Sequence, residues 1–124
     1  MGMDLSGIKP ISEKGHYFRS NVWFWRPLWN LVSNDCADIL SKDQIAGGEY
    51  NDGTKVSAKQ ARQISDRILG DLDYIKNGIE KYETQRKKDL EKDPKNFSAS
   101  YPMDYDHTVD FAIFCKESGG FEIW

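Results

Sequence analysis

Histidine and cysteine are scarce in this chain of 124 residues, which contains two of each. Cys36 and Cys115 lie far apart and form no CxxC pair, and no spacing between them and His16 or His107 resembles that of a zinc site. The sequence therefore predicts no bound metal. Both cysteines are expected to be reduced, buried thiols in a cytosolic protein.

Long apolar runs and the sequence motifs of catalysis are also lacking. No stretch approaches the roughly 18 apolar residues of a membrane helix, and Asp4 interrupts a first segment without a basic start. Neither a membrane span nor a signal peptide is expected. The patterns GxSxG, GxxxxGKS/T, GxGxxG and HExxH do not occur, so the sequence predicts no catalytic residue and no cofactor.

Charge is distributed unevenly along the chain, whose net charge is −3. This acidic balance argues against a nucleic-acid polymer as a partner. Residues 1–30 nevertheless carry four cations against two carboxylates, a net of +2, and residues 31–54 carry one cation against five carboxylates, a net of −4. The basic part favours an anion, a nucleotide or an acidic protein surface as its partner.

The stretch NVWFWRPLW, residues 21–29, lies in this basic part and holds three of the four tryptophans. If the wider segment 17–30 is a helix, one stripe carries Phe18, Val22, Trp25 and Trp29, and the next carries Arg19, Trp23, Arg26 and Asn30. As a strand, it would place Arg19, Asn21, Trp23 and Trp25 on one face. Both interpretations put Arg19 beside Trp23, and Trp25 and Trp29 are expected to point into the core.

An arginine beside a tryptophan can serve a ligand or a protein partner. The guanidinium offers a planar fork of donors for phosphate or carboxylate, and the indole offers a flat surface for a ring. The same residue types dominate the centres of protein interfaces, and they also occur where arginine merely covers a core indole. The candidate ligand-binding residues are Tyr17, Arg19, Asn21, Trp23 and Arg26.

Turn residues and apolar spacing predict the secondary structure. The predicted elements are a strand over 3–8, a helix over 28–40, a loop over 46–54, a helix over 57–82, a short helix from Asp106 to Gly119 and a strand over 121–124. Ser57 is expected to cap the long helix and Asn77-Gly78 to bend it. Residues 83–95 are expected to form a solvated, charged helix end that stops at Pro94.

The two terminal strands suggest how the chain closes on itself. A strand at each end predicts a small sheet that joins residues 3–6 to 121–124. At 124 residues, 39% of them apolar and 30% charged, the chain is expected to form one domain over 1–124. The predicted fold class is α+β, mainly helical, with a small terminal sheet.

Several segments together resemble a group of small uncharacterised proteins of bacteriophages and prophages. They are the opening MGMDLSG, the block YFRSNVWFWRPLW, the turn YNDG and the closing FAIFCKESGGFEIW, whereas residues 83–101 lie outside the likeness. The resemblance implies a viral or prophage origin and the cytoplasm of a bacterial host. It implies no activity and carries over no catalytic residue.

Two functions follow as expectations. The first is a non-enzymatic binding protein whose aromatic and arginine-rich segment, residues 17–30, holds an anionic aromatic small molecule such as a nucleotide in a preformed pocket. The second is a protein-interaction module that uses the same face to bind a host protein or to form a homo-oligomer. An enzyme using scattered carboxylates or Cys36 is a third alternative without a supporting motif.

Overall fold

The computed structural model, which describes residues 2–124, contains five α-helices and one four-stranded sheet. The strands are β1 (Gly2–Gly7), β2 (Tyr17–Asn21), β3 (Thr54–Val56) and β4 (Phe121–Ile123). The helices are α1 (Val22–Asp35), α2 (Lys42–Gly47), α3 (Ala58–Leu69), α4 (Leu72–Lys92) and α5 (Tyr105–Ser118), with short 3₁₀ turns at Glu13–Gly15 and Ser98–Ser100. The predicted α+β, mainly helical fold class is confirmed.

The sheet ties the two ends of the chain together, as the sequence predicts. Its strand order is β2-β1-β4-β3, every pair is antiparallel, and Leu5 lies opposite Ile123. Alternation sets its two faces: Phe18 and Ser20 of β2 are buried, whereas Tyr17, Arg19 and Asn21 are exposed. One face of the sheet therefore packs on the helices and the other meets solvent.

The segment 17–30 changes from strand to helix after Asn21. The strand interpretation therefore holds for residues 17–21, and the helix interpretation holds from Val22 onward. The Asn21 side chain accepts a hydrogen bond from the Phe24 amide at 2.9 Å and caps α1. The predicted helix over 28–40 is therefore wrong at both ends, since α1 spans Val22–Asp35 and includes Pro27.

Burial of two tryptophans stabilises α1 despite the backbone donor that Pro27 lacks. Trp25 and Trp29 are each 1% exposed and stack with their ring centres 5.3 Å apart, which confirms that they point inward. Their indole N–H groups donate to the carbonyl oxygens of Gly48 at 2.7 Å and Ile45 at 2.9 Å. These bonds hold α2 against α1. The sequence predicts a loop over 46–54 and does not predict α2, which spans Lys42–Gly47.

The single helix predicted over 57–82 is wrong, because the chain forms two helices there. Ser57 caps α3 as predicted, with a reciprocal bond between Ser57 and Gln60. Gly70 ends α3, and the carboxylate of Asp71 accepts from the Tyr74 amide at 3.3 Å to begin α4. The break therefore falls at Gly70-Asp71, and α4 runs through Gly78 without interruption.

Helix α5 packs on α3 and on the sheet. Its N-cap is Asp104, whose side chain accepts from the His107 amide at 2.9 Å, so the predicted cap at Asp106 is wrong by half a turn. Gly119 ends the helix with φ of 66°, a left-handed conformation that glycine adopts without strain. Cys36 and Cys115 are buried free thiols.

Candidate functional site

A groove of about 890 Å³ lies between α1 and α4, and the segment 98–103 closes one side of it. Leu31, Ile75 and Met103 supply apolar parts of its lining, and most of the remaining lining residues are polar or aromatic. Apolar surface with a few convergent polar groups is the usual composition of a small-molecule site.

Helix α1 contributes a polar wall to this groove. Arg26, Asn30 and Asn34 follow one another at intervals of four residues, so they line one stripe of the helix. All three are exposed. The wall thus presents one guanidinium and two amides, which can donate and accept hydrogen bonds along the length of the groove.

Helix α4 faces this wall with residues of similar chemistry. Tyr74, Asn77 and Lys81 lie at intervals of three and four residues along one stripe of α4, and all three line the groove. Tyr74 is 62% exposed, which leaves its ring accessible to a ligand. A cation therefore stands on each wall of the groove, Arg26 on α1 and Lys81 on α4.

The segment 98–103 is fastened to α4 by three groups of that helix. The hydroxyl of Tyr82 donates to the Tyr101 carbonyl at 2.6 Å. Arg86 donates to the Ala99 carbonyl at 3.3 Å, and the Glu83 carboxylate accepts from the Met103 amide at 3.4 Å. Hydrogen bonds from Arg86 hold the pKa of Glu83 below its ordinary value. These hydrogen bonds hold the segment 98–103 in a fixed position relative to α4.

Arg26 is positioned by an aromatic cluster formed by Trp23, Phe97 and Tyr101. Its guanidinium carbon lies 5.8 Å from the centre of the Tyr101 ring. That ring packs in turn against Trp23, with ring centres 5.1 Å apart, and against Phe97 at 5.5 Å. Cation–π attraction favours this placement, which directs the charge of Arg26 to the edge of the groove.

Asp35 is the carboxylate in the groove lining and the last residue of α1. Burial raises its pKa, and the nearby positive charge of Arg67 lowers it in part. Arg67 donates its hydrogen bonds to the Asp35 backbone carbonyl at 2.6 Å and to the carboxylate of Asp38, and not to the Asp35 carboxylate. With Arg26 and Lys81, the lining carries two cations and one carboxylate, a net charge of +1.

The structure separates the five residues predicted as a site. Arg26 lines the groove, and Trp23 stands behind it in the aromatic cluster. Tyr17 and Arg19 lie on the solvent-facing side of the sheet, where the Tyr17 hydroxyl donates to the Asp4 carboxylate and Arg19 pairs with it at 3.5 Å. Asn21 caps α1. The expected Arg19–Trp23 pair is therefore divided between the sheet and the aromatic cluster.

Sequence reasoning missed most of the groove. Asn34 extends the stripe of Arg26 and Asn30 by one turn, so it could have been found by carrying the helical spacing past Pro27. Tyr74 and Lys81 belong to the polar side of a helix whose partner the sequence does not specify. Tyr101 lies in a loop without periodicity, and no sequence signal connects it to α1.

A hydrogen-bonded serine and histidine lie apart from the groove. Ser20 Oγ and His107 Nε2 are 2.9 Å apart, but Ser20 is 2% exposed and its hydroxyl also donates to the Asn21 carbonyl. A nucleophile must reach its substrate, so this pair is structural. Burial likewise raises the pKa of Cys36 to about 11, which keeps this thiol protonated near neutral pH.

Comparison of the chain with protein-family models, with curated proteins and with solved structures finds no match. Over residues 2–124, no three histidine, cysteine or acidic side chains are grouped to hold a metal ion. Within the same described range, no helix has the length and apolar character needed to cross a bilayer.

Proposed function

We propose that this chain is a non-enzymatic binding protein whose groove between α1 and α4 holds an anionic small molecule with an aromatic ring, such as a nucleotide. The observation that carries the proposal is the opposition of Arg26 and Lys81 across a groove that also contains accessible tyrosine and asparagine side chains. A cation can pair with a phosphate, an aromatic ring can stack on a base, and an amide can form hydrogen bonds with the edge of that base.

The phosphate is assigned to the end of the groove where Arg26 rests on Tyr101. A guanidinium held in one orientation binds a phosphate with two parallel hydrogen bonds and loses little conformational entropy on binding. Lys81 adds a second positive charge from the opposite wall. The net charge of +1 in the lining favours an anion, although the protein as a whole is acidic.

The ring is assigned to the region of Tyr74 and the asparagine side chains. The exposed ring of Tyr74 provides a stacking surface, and stacking contributes about 1–3 kcal/mol per base in nucleic-acid systems. The side chains of Asn34 and Asn77 carry donors and acceptors that can pair with the edge of a base. The resemblance to phage and prophage proteins adds a setting to the proposal: an accessory protein that sequesters a nucleotide in the cytoplasm of a bacterial host.

This function is tested by thermal-shift measurements that compare a nucleotide with its separate parts, the nucleoside and inorganic phosphate. Nucleoside monophosphates at millimolar concentration should raise the melting temperature, because a ligand that binds only the folded state stabilises it. The matching nucleosides and inorganic phosphate should each have a smaller effect, since each satisfies half of the groove. Equal effects of the nucleotide and inorganic phosphate would contradict the proposal.

A second function rests on a different observation, the exposed aromatic surface beside the groove. Trp23 is 42% exposed and Phe97 is 65% exposed, and their rings pack against each other. Exposed tryptophan and phenylalanine are typical of protein interfaces. The alternative is therefore an interaction module that binds a host protein or a second copy of this chain. Light scattering tests the second copy: a dimer that Phe97→Ser converts to a monomer would favour this alternative.

A further inference from the structure

Asp35 occupies a place where a carboxylate is unfavourable. It is the last residue of α1, where the partial negative charge of the helix end repels an anion. It is half-buried, and no side chain within residues 2–124 donates a hydrogen bond to its carboxylate or forms an ion pair with it. A carboxylate held at this cost in the lining of a groove is suited to accept donors from a ligand.

The geometry of a carboxylate restricts which donors it can accept. Its two oxygens lie side by side, so its best partner presents two adjacent N–H groups, as the arginine fork does. Among the common bases, guanine has such a pair in N1–H and the N2 amino group. Adenine and cytosine place a ring nitrogen acceptor next to their amino group, and uracil flanks its N3–H with two carbonyls, so each would set a lone pair against the carboxylate.

Arg26 and Asp35 border the groove at different positions along α1. Asp35 follows Arg26 by nine residues, which is about 13.5 Å along the helix axis and about two and a half turns, so the two side chains leave the helix on opposite sides. Both line the groove, on either side of the helix face that carries Leu31, so a nucleotide that contacts both lies obliquely across this face. As a refinement that rests on the function proposed above, we propose that the groove selects guanine nucleotides, with the Asp35 carboxylate accepting N1–H and N2–H of the base and Arg26 holding the phosphate.

The substitution Asp35→Asn tests this assignment because it alters the pattern of donors and preserves the shape. The amide keeps one acceptor for N1–H but replaces the other oxygen with a donor, which opposes the amino group of guanine. Xanthine carries a carbonyl in place of that amino group and should fit the amide. The fold should tolerate the change, since removal of a negative charge from the end of α1 favours the helix.

The experiment is a calorimetric titration of the full chain with guanosine, adenosine and xanthosine 5′-monophosphates. The wild type should bind the guanosine nucleotide at least about tenfold more tightly than the other two, the discrimination expected of one bidentate contact. In Asp35→Asn, xanthosine monophosphate should become the tightest of the three. Asp38→Asn removes a neighbouring carboxylate that bonds Arg67 outside the groove, so it should leave the order of affinities unchanged.

The outcomes separate this proposal from the function on which it rests. If the wild type binds guanosine and adenosine monophosphates equally well, or if Asp35→Asn leaves their ratio unchanged, the guanine assignment is overturned while nucleotide binding stands. If none of the three nucleotides binds the wild type, the proposed function fails and the guanine assignment fails with it.

Discussion

The guanidinium of Arg26 lies over the ring of Tyr101, with 5.8 Å between the guanidinium carbon and the ring centre. This contact joins α1 to a segment that is fastened to α4, so it spans the groove at one edge. It also restricts a long, flexible side chain before any ligand arrives. The entropy lost on binding a phosphate should be correspondingly smaller.

The first prediction concerns this contact. Tyr101→Leu removes the ring face under Arg26 but retains an apolar side chain, so Arg26 should become more mobile. The affinity for a nucleoside monophosphate should fall about two- to fivefold, in line with about 0.5–1 kcal/mol for an exposed cation–π contact. Tyr101→Phe keeps the ring and is the matched control. Calorimetric titration of both variants measures the difference, and an equal loss in the two would show that the ring face is not the cause.

A second prediction follows from the hydrogen bond between the Tyr82 hydroxyl and the Tyr101 carbonyl, 2.6 Å long and partly buried. Tyr82→Phe leaves this carbonyl without its partner and should lower the free energy of unfolding by about 1 kcal/mol. Tyr74→Phe is the matched control, because the Tyr74 side chain is exposed. Urea denaturation of the two variants checks the prediction, which fails if they unfold at the same urea concentration.

The third prediction is a pH dependence that arises from His107. Burial lowers the pKa of this residue below its ordinary value of 6.5, and the charges of Asp104 and Asp110 offset part of the effect. The unfolded chain therefore binds the proton more tightly than the folded chain does. Stability should be constant with respect to this group above pH 6.5 and should fall as the pH drops below that value.

Melting temperatures at about pH 7.5 and about pH 5.5 measure this dependence. His107→Gln removes the titrating group, so its melting temperature should change less between the two conditions than that of the wild type. His16→Gln alters an exposed histidine and is the matched control for loss of an imidazole. Equal slopes for the wild type and His107→Gln would show that His107 does not account for the acid sensitivity.

The fourth prediction concerns a pair of amides that connects α2 and α3. Gln44 and Gln60 donate to each other at 2.8 and 2.9 Å, and Gln60 also donates to the Ile39 carbonyl at 3.0 Å. Gln60→Glu has no donor for either bond and sets a carboxylate against the oxygen of Gln44. The cost should be about 1–3 kcal/mol, whereas the exposed substitution Gln63→Glu should cost little. Chemical denaturation compares the two variants.

The terminal sheet and the break between α3 and α4 show which sequence signals were sufficient to predict the fold. The terminal sheet that joins residues 3–6 to 121–124 was predictable because both ends alternate apolar and polar residues, and the structure adds the register, in which Leu5 lies opposite Ile123. The break at Gly70-Asp71 was visible as a glycine followed by a capping residue, but the apolar periodicity continues across it and conceals it. Here a local capping signal outweighed a long repeat.

The candidate site was predictable only in part, for a topological reason. Arg26 was identified because it lies in an unusual aromatic stretch, and Trp23 supports it through Tyr101. The groove itself is formed by two helices that are distant in sequence, and which face α4 presents to α1 depends on the turn at Gly70-Asp71. No spacing rule within one segment reports such a pairing.

The measurement that tests the central claim most directly is a calorimetric titration of guanosine 5′-monophosphate into the wild type, Arg26→Ala and Arg19→Ala. Both variants lose one exposed arginine of the same segment, but Arg19 pairs with Asp4 on the sheet and does not line the groove. Loss of a charge-assisted contact should weaken binding about tenfold or more in Arg26→Ala. Arg19→Ala should bind as the wild type does. Equal affinities of wild type and Arg26→Ala would contradict the groove as the binding site.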